Sequence, residues 1–123
     1  MIFDTSAWIE LFQGTKAGQT ASEALAKGGC YTSMISLAEI VSWCIKTDHD
    51  PSKAMARIAE LSTIIDVSIG ISSLAGRLNL ERKKVNKKWG MMDSFVLATA
   101  VIYGLTVLTK DEDYMDLPNA VML

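Results

Sequence analysis

Four short runs of apolar or β-branched residues, at 1–3, 30–32, 63–67 and 106–109, alternate with stretches of helical periodicity, and this alternation constrains the fold most. Strands separated by helices cannot pair as tight hairpins. They cross over, pair in parallel and place their helices on the sheet faces. Helical patterns run over 6–12, 16–27, 34–46, 51–61, 68–85 and 91–103, and local signals punctuate them. Gly14 closes the first, Gly28-Gly29 breaks the chain before the second strand, and Ser33 is a candidate cap. Asp50 is placed to cap a helix whose first position is Pro51, and Gly90 separates the last two helices. Residues 120–123 add a candidate fifth strand. The expectation is an α/β sandwich with a mainly parallel sheet of four or five strands.

The 123 residues fit one domain, read here as 1–123, and half of them are apolar, enough to bury a core without disulfide staples. Cys30 and Cys44 match no zinc or redox spacing and read as core residues, which suits a reducing cytoplasm. The N-terminus has no basic region ahead of a long apolar segment, so it does not read as a signal peptide. The most apolar segment, 95–108, is interrupted by Thr99, Gly104 and Thr106 and is too short to span a bilayer, so no membrane is implied. The net charge of −2 points to no particular partner, but five of the twelve basic residues fall within 82–88.

In a parallel sheet with crossover helices, the first turns of helices lie at the same edge as the carboxyl ends of strands. That edge collects acids here. Asp4 and Asp111 follow strands, Glu39 lies early in the helix after the second strand, and Asp93 opens a helix that is apolar nearly all round. Each has an ordinary explanation: a cap for Asp4, a solvated face for Glu39, a dipole contact for Asp93, an acidic turn for Asp111 and Asp113. Together they form a repulsive set that a hard divalent cation would resolve. Carboxylates without nearby histidine or cysteine select Mg2+ or Mn2+, an ion that can activate water against a phosphodiester.

Other chemistries have little support. His49 lies in a polar turn, no glycine-rich phosphate loop is present, and Asp4-Thr5-Ser6 lacks the second aspartate of aspartyl-phosphate hydrolases. The basic stretch Arg82, Lys83, Lys84, Lys87, Lys88 with Trp89 precedes Asp93 and is expected to hold a phosphate backbone and stack an unpaired base. A solvated helix end explains the same lysines equally well.

These residues resemble the PIN-domain nucleases of the VapC toxin type, over the whole chain. The likeness is carried by Asp4-Thr5-Ser6 after an apolar strand, Glu39 within Ser36-Leu37-Ala38-Glu39-Ile40, Asp93 opening an alanine-rich helix, and Thr109-Lys110-Asp111-Glu112-Asp113-Tyr114. It implies a PIN-like three-layer α/β/α fold and a Mg2+- or Mn2+-dependent endoribonuclease, the toxin of a toxin–antitoxin pair. Asp4, Glu39, Asp93 and Asp111 would be the acidic metal site, with Asp113 as a further outer ligand. Ser6 and Thr109 would orient a carboxylate or water, unless Ser6 only caps its helix. Tyr114 stands where phenylalanine is commoner. The resemblance also implies a homodimer and a VapB-type antitoxin, with Trp8, Leu11 and Phe12 as a candidate docking surface and core packing as the alternative for most of them. The rival readings are a housekeeping nuclease for RNA maturation or structured DNA, and a non-catalytic binding module.

Overall fold

The computed structural model describes residues 1–123. Its elements are β1 (Ile2–Phe3), α1 (Thr5–Gln13), α2 (Lys16–Ala26), β2 (Tyr31–Ser33), α3 (Met34–Lys46), α4 (Pro51–Leu61), β3 (Thr63–Ile65), α5 (Ile69–Val85), α6 (Met91–Tyr103), β4 (Val107–Thr109) and β5 (Ala120–Met122), with a 3-10 turn at Glu112–Tyr114. The five strands form one sheet in the order β3-β2-β1-β4-β5, and every pairing is parallel. The expected α/β/α sandwich is what forms, with the fifth strand present.

Side-chain alternation along each strand divides the core in two. Phe3 and Leu108 face one side, where they pack with Trp8, Ala21, Ile40, Cys44 and Ile58 from α1 to α4. Ile2 and Val107 face the other, against Trp89, Val96, Leu97 and Tyr114. Ile65, Ile71, Ala75 and Ala98 continue that second layer beneath α5 and α6. The sheet is therefore buried on both faces, as a parallel sheet requires. Both cysteines are buried and unbridged.

Local signals act where the sequence places them. Gly14 terminates α1 in the left-handed region at φ 65°, and the Thr15 hydroxyl accepts from the Gly18 amide to start α2. Gly18 has a second role, because a β-carbon there would lie 2.0 Å from the Glu10 carbonyl oxygen. The α1–α2 hairpin closes only on glycine. Asp50 caps α4 through the Ser52 and Lys53 amides, and Ser33 and Ser68 cap α3 and α5.

The strand order sets the location of chemistry. From β1 the chain moves outward to β2 and β3, then α5 and α6 carry it back across the sheet to β4, on the other side of β1. The carboxyl ends of β1 and β4 thus flank a topological switch point, where open α/β sheets bind ligands. No helix is long and apolar enough to cross a membrane.

Candidate metal centre at the carboxyl edge of the sheet

Asp4 leaves β1 at the switch point and holds the N-cap position of α1, yet its side chain makes no cap. The carboxylate turns to the neighbouring strand instead. Its Oδ2 accepts hydrogen bonds of 2.9 Å from both Ser6 Oγ and Thr109 Oγ1. The two hydroxyls stand 3.1 Å apart, and Ser6 Oγ also accepts the Lys110 amide while Thr109 Oγ1 accepts the Asp111 amide. Ser6 is therefore a clasp between α1 and the segment after β4, not a helix cap. Burial raises the Asp4 pKa, against the opposing hydrogen bonds from Thr109, Ser6 and the Thr5 backbone, and the charge of Asp111 adds to the rise.

The other acids reach the same edge from separate elements. Glu39, in α3, accepts a 2.8 Å bond on Oε1 from Thr5 Oγ1, one residue beyond Asp4. Asp93 sits in the first turn of α6, where its Oδ2 accepts from the Gly90 amide at 3.1 Å. Asp111 Oδ1 accepts the Asp113 amide and starts the 3-10 turn. Burial is the largest cause of the raised pKa of Glu39, with Asp4 and Asp111 adding to it. Asp93 is pushed up to about 6, first by burial and then by Asp4, Asp111 and Glu39, against the Gly90 amide. Every pair among the four carboxylates thus acts on one another, and no cation acts on Asp4, Glu39 or Asp93.

This donor set suits a hard divalent ion by its chemistry: oxygen only, net negative and without a protein counter-charge. No three acids close into a ready-made ligand cluster. That spacing is compatible with Mg2+, which takes one or two carboxylates directly and keeps several waters between itself and the rest.

The remaining expected residues separate into two groups. Lys84, Lys87 and Lys88 are exposed on and after the end of α5; Lys83 is exposed too, with its ammonium donating to the Trp89 carbonyl at 2.7 Å. Trp89 and Arg82 overturn the expectation of nucleic-acid contact. The Trp89 ring is fully buried, with its indole N–H on Ser94 Oγ at 2.7 Å, so no base can stack on it. The Arg82 guanidinium is buried over that ring, 4.7 Å from its centre, and is taken up by Asp116 (2.7 and 2.9 Å) and the Asp113 carbonyl (2.9 Å). Asp113 directs its carboxylate to Asn86 Nδ2 at 2.8 Å, and it is not among the charges that raise Asp4, Glu39 or Asp93. Trp8 is wholly buried with its N–H on Thr32 Oγ1, whereas Leu11 and Phe12 are half-buried. Phe12 lines a groove of about 360 Å³ with Trp43 and His49.

Three contributors escaped the sequence reading. Thr5 anchors Glu39, Tyr114 reaches Asp93, and Glu10 holds Lys110 at 2.7 Å. The adjacency of Thr5 to Asp4 could have pointed to the first. Nothing in the local pattern distinguishes the other two from surface charge and core packing.

A family model described as the PIN domain matches residues 1–119. No curated protein matches. Among solved structures, a toxin–antitoxin complex from Klebsiella pneumoniae is similar, with 27% identity, a TM-score of 0.77, and coverage of 98% of this chain and 95% of that one. VapBC2 from Rickettsia felis, bound to a DNA fragment from its promoter, gives 21%, 0.76, 100% and 98% on the same measures. VapC20 from Mycobacterium tuberculosis, a toxin that cleaves the sarcin–ricin loop, gives 20%, 0.75, 96% and 95%.

Proposed function

Since this chain belongs to the PIN-domain family, we propose that it is a Mg2+- or Mn2+-dependent endoribonuclease and the toxin half of a toxin–antitoxin pair. The observation that carries the reading is the convergence of Asp4, Glu39, Asp93 and Asp111, from four separate segments, on one edge, where no cation acts on Asp4, Glu39 or Asp93. Holding four like charges together is costly unless a metal ion is their purpose. The similarity to a sarcin–ricin loop cleaving toxin supports RNA as substrate, and the similarity to toxin–antitoxin complexes supports an antitoxin partner.

Asp4, Glu39, Asp93 and Asp111 would hold the ion, directly or through water. A divalent ion there supplies Lewis acidity towards water and phosphate oxygen. The chain supplies the rest. Ser6 and Thr109 fix Asp4 Oδ2, Thr5 fixes Glu39, and the Gly90 amide fixes one oxygen of Asp93, so the carboxylates are oriented before substrate arrives. The exposed Lys84, Lys87 and Lys88 would hold the RNA backbone. An antitoxin segment docking an apolar side chain in the groove beside Phe12, and pairing of two copies, complete the reading.

The test is cleavage of a mixed-sequence RNA by purified protein with Mg2+, Mn2+ or EDTA, beside an identically prepared Asp93→Asn variant. Metal-dependent cutting by the parent and a loss of at least about 100-fold in the folded variant are expected. Equal cutting by the two would refute the assignment of Asp93.

A further inference from the structure

Tyr114 is wholly buried, and its phenol oxygen has one neighbour to bond: Asp93, whose backbone carbonyl lies at 3.2 Å and whose Oδ1 lies at 3.4 Å. A ring present only for packing would need no hydroxyl, and a buried hydroxyl without a partner is costly. The ring cannot turn elsewhere. It packs against Trp89 with centroids 4.9 Å apart at 58°, and Arg82 covers Trp89 while clamping Asp113 and Asp116 on either side of Tyr114. The hydroxyl therefore projects from a braced platform towards the first turn of α6.

We propose that Tyr114 is a positioning residue for the metal centre, its hydroxyl holding Asp93 so that the carboxylate is presented to a divalent ion. The inference rests on the metal-centre reading above and deepens it. Asp93 then has a donor facing each oxygen, the Gly90 amide on Oδ2 and the Tyr114 hydroxyl near Oδ1, and the two together restrain the rotation of the carboxylate. Both Tyr114 distances are long for an O–H···O bond, so the hydroxyl is shared between two acceptors and contributes direction more than strength. Outer partners of this type commonly change metal affinity by 10- to 100-fold.

The test is calorimetric titration of Mn2+ into RNA-free protein, comparing the parent with Tyr114→Phe, which keeps the ring and removes only the hydroxyl. Ile71→Ala, on the buried face of α5, serves as a control that lowers stability without touching Asp93. A Kd for Mn2+ weakened roughly 10-fold in Tyr114→Phe and unchanged in Ile71→Ala is expected, with kcat reduced and KM for RNA unchanged. Mn2+ affinity of Tyr114→Phe within twofold of the parent overturns the proposal, as does equal weakening in Ile71→Ala. If the parent binds Mn2+, Asp93→Asn does not and Tyr114→Phe matches the parent, this proposal alone fails. A parent that binds no Mn2+ removes the metal-centre reading with it.

Discussion

Asp93 combines a half-buried carboxylate with three neighbouring acids, and its pKa of about 6 has a consequence for the metal-free protein. The unfolded chain releases this proton near 3.8, so between those values the folded state binds more protons than the unfolded one. Stability then falls as pH rises through that window. Asp4 and Glu39, also raised, act with the same sign. Glu10 is lowered by Lys110 and Thr15, and Asp116 by Arg82, so their contribution has the opposite sign and is lost only under more acidic conditions. In EDTA, thermal unfolding followed from pH 4 to pH 8 is expected to show a melting temperature that declines up to about pH 6 and then levels off. Asp93→Asn should flatten the decline, and an unchanged slope in that variant would contradict the assigned source. Single residues also mark the limit of sequence reading. An aspartate after a strand is legible as a chemical group at a known edge, but the partner of a hydroxyl depends on a rotamer and a distant neighbour, so the roles of Thr5 and Tyr114 emerge only in three dimensions.

The helical hairpin of α1 and α2 depends on an absent side chain. Replacing glycine by alanine inside a helix ordinarily gains up to about 1 kcal/mol. At Gly18 the sign reverses, because the new carbon would lie 2.0 Å from the Glu10 carbonyl oxygen, a backbone atom that cannot rotate away. Gly18→Ala is expected to cost about 3 kcal/mol in urea unfolding, and a cost under about 1 kcal/mol would mean that the hairpin opens freely. The end of α5 offers a complementary case. Arg82 ties α5 to the 3-10 turn and covers Trp89, so Arg82→Met is expected to lose about 1 to 2 kcal/mol, moderated because Asp116 remains half in water, while leaving the salt dependence of RNA binding unchanged. Replacing Lys84, Lys87 and Lys88 together by alanine should instead leave stability nearly intact and reduce the slope of log K against log salt by roughly 2. The elements themselves were legible because Gly14, Ser33, Asp50, Pro51 and Gly90 act through local backbone chemistry. The orientation of Trp89 was not. It follows a run of lysines in a turn without periodicity, and whether its ring faces solvent or core is decided by Arg82 and Tyr114, which local pattern cannot bring together.

Across the whole molecule, the acids are a product of topology. Asp4, Glu39, Asp93 and Asp111 are far apart in the chain and meet because β1 and β4 pair in parallel on either side of a switch point, with α3 and α6 presenting their early turns to the same edge. This convergence was legible from strand–helix alternation alone, since direction of travel determines which ends share an edge. The spacing of the acids was not, because it depends on hydroxyl clasps such as Ser6 and Thr109. An ion that needs all four segments in place has no equivalent site on the unfolded chain, so metal binding and folding must be linked. Mn2+ at about 100 times its dissociation constant is expected to stabilise the fold by about 2.7 kcal/mol, raising the melting temperature by on the order of 10 °C. Protons compete for the same carboxylates, so the rise should be larger at pH 8 than at pH 6, opposite to the trend of the metal-free protein. Differential scanning calorimetry with matched Mn2+ and EDTA samples measures both. A folded Asp93→Asn variant with the parent's full, pH-dependent rise would show that the ion binds elsewhere, whereas loss of the rise would tie stability and the proposed chemistry to the same edge of the sheet.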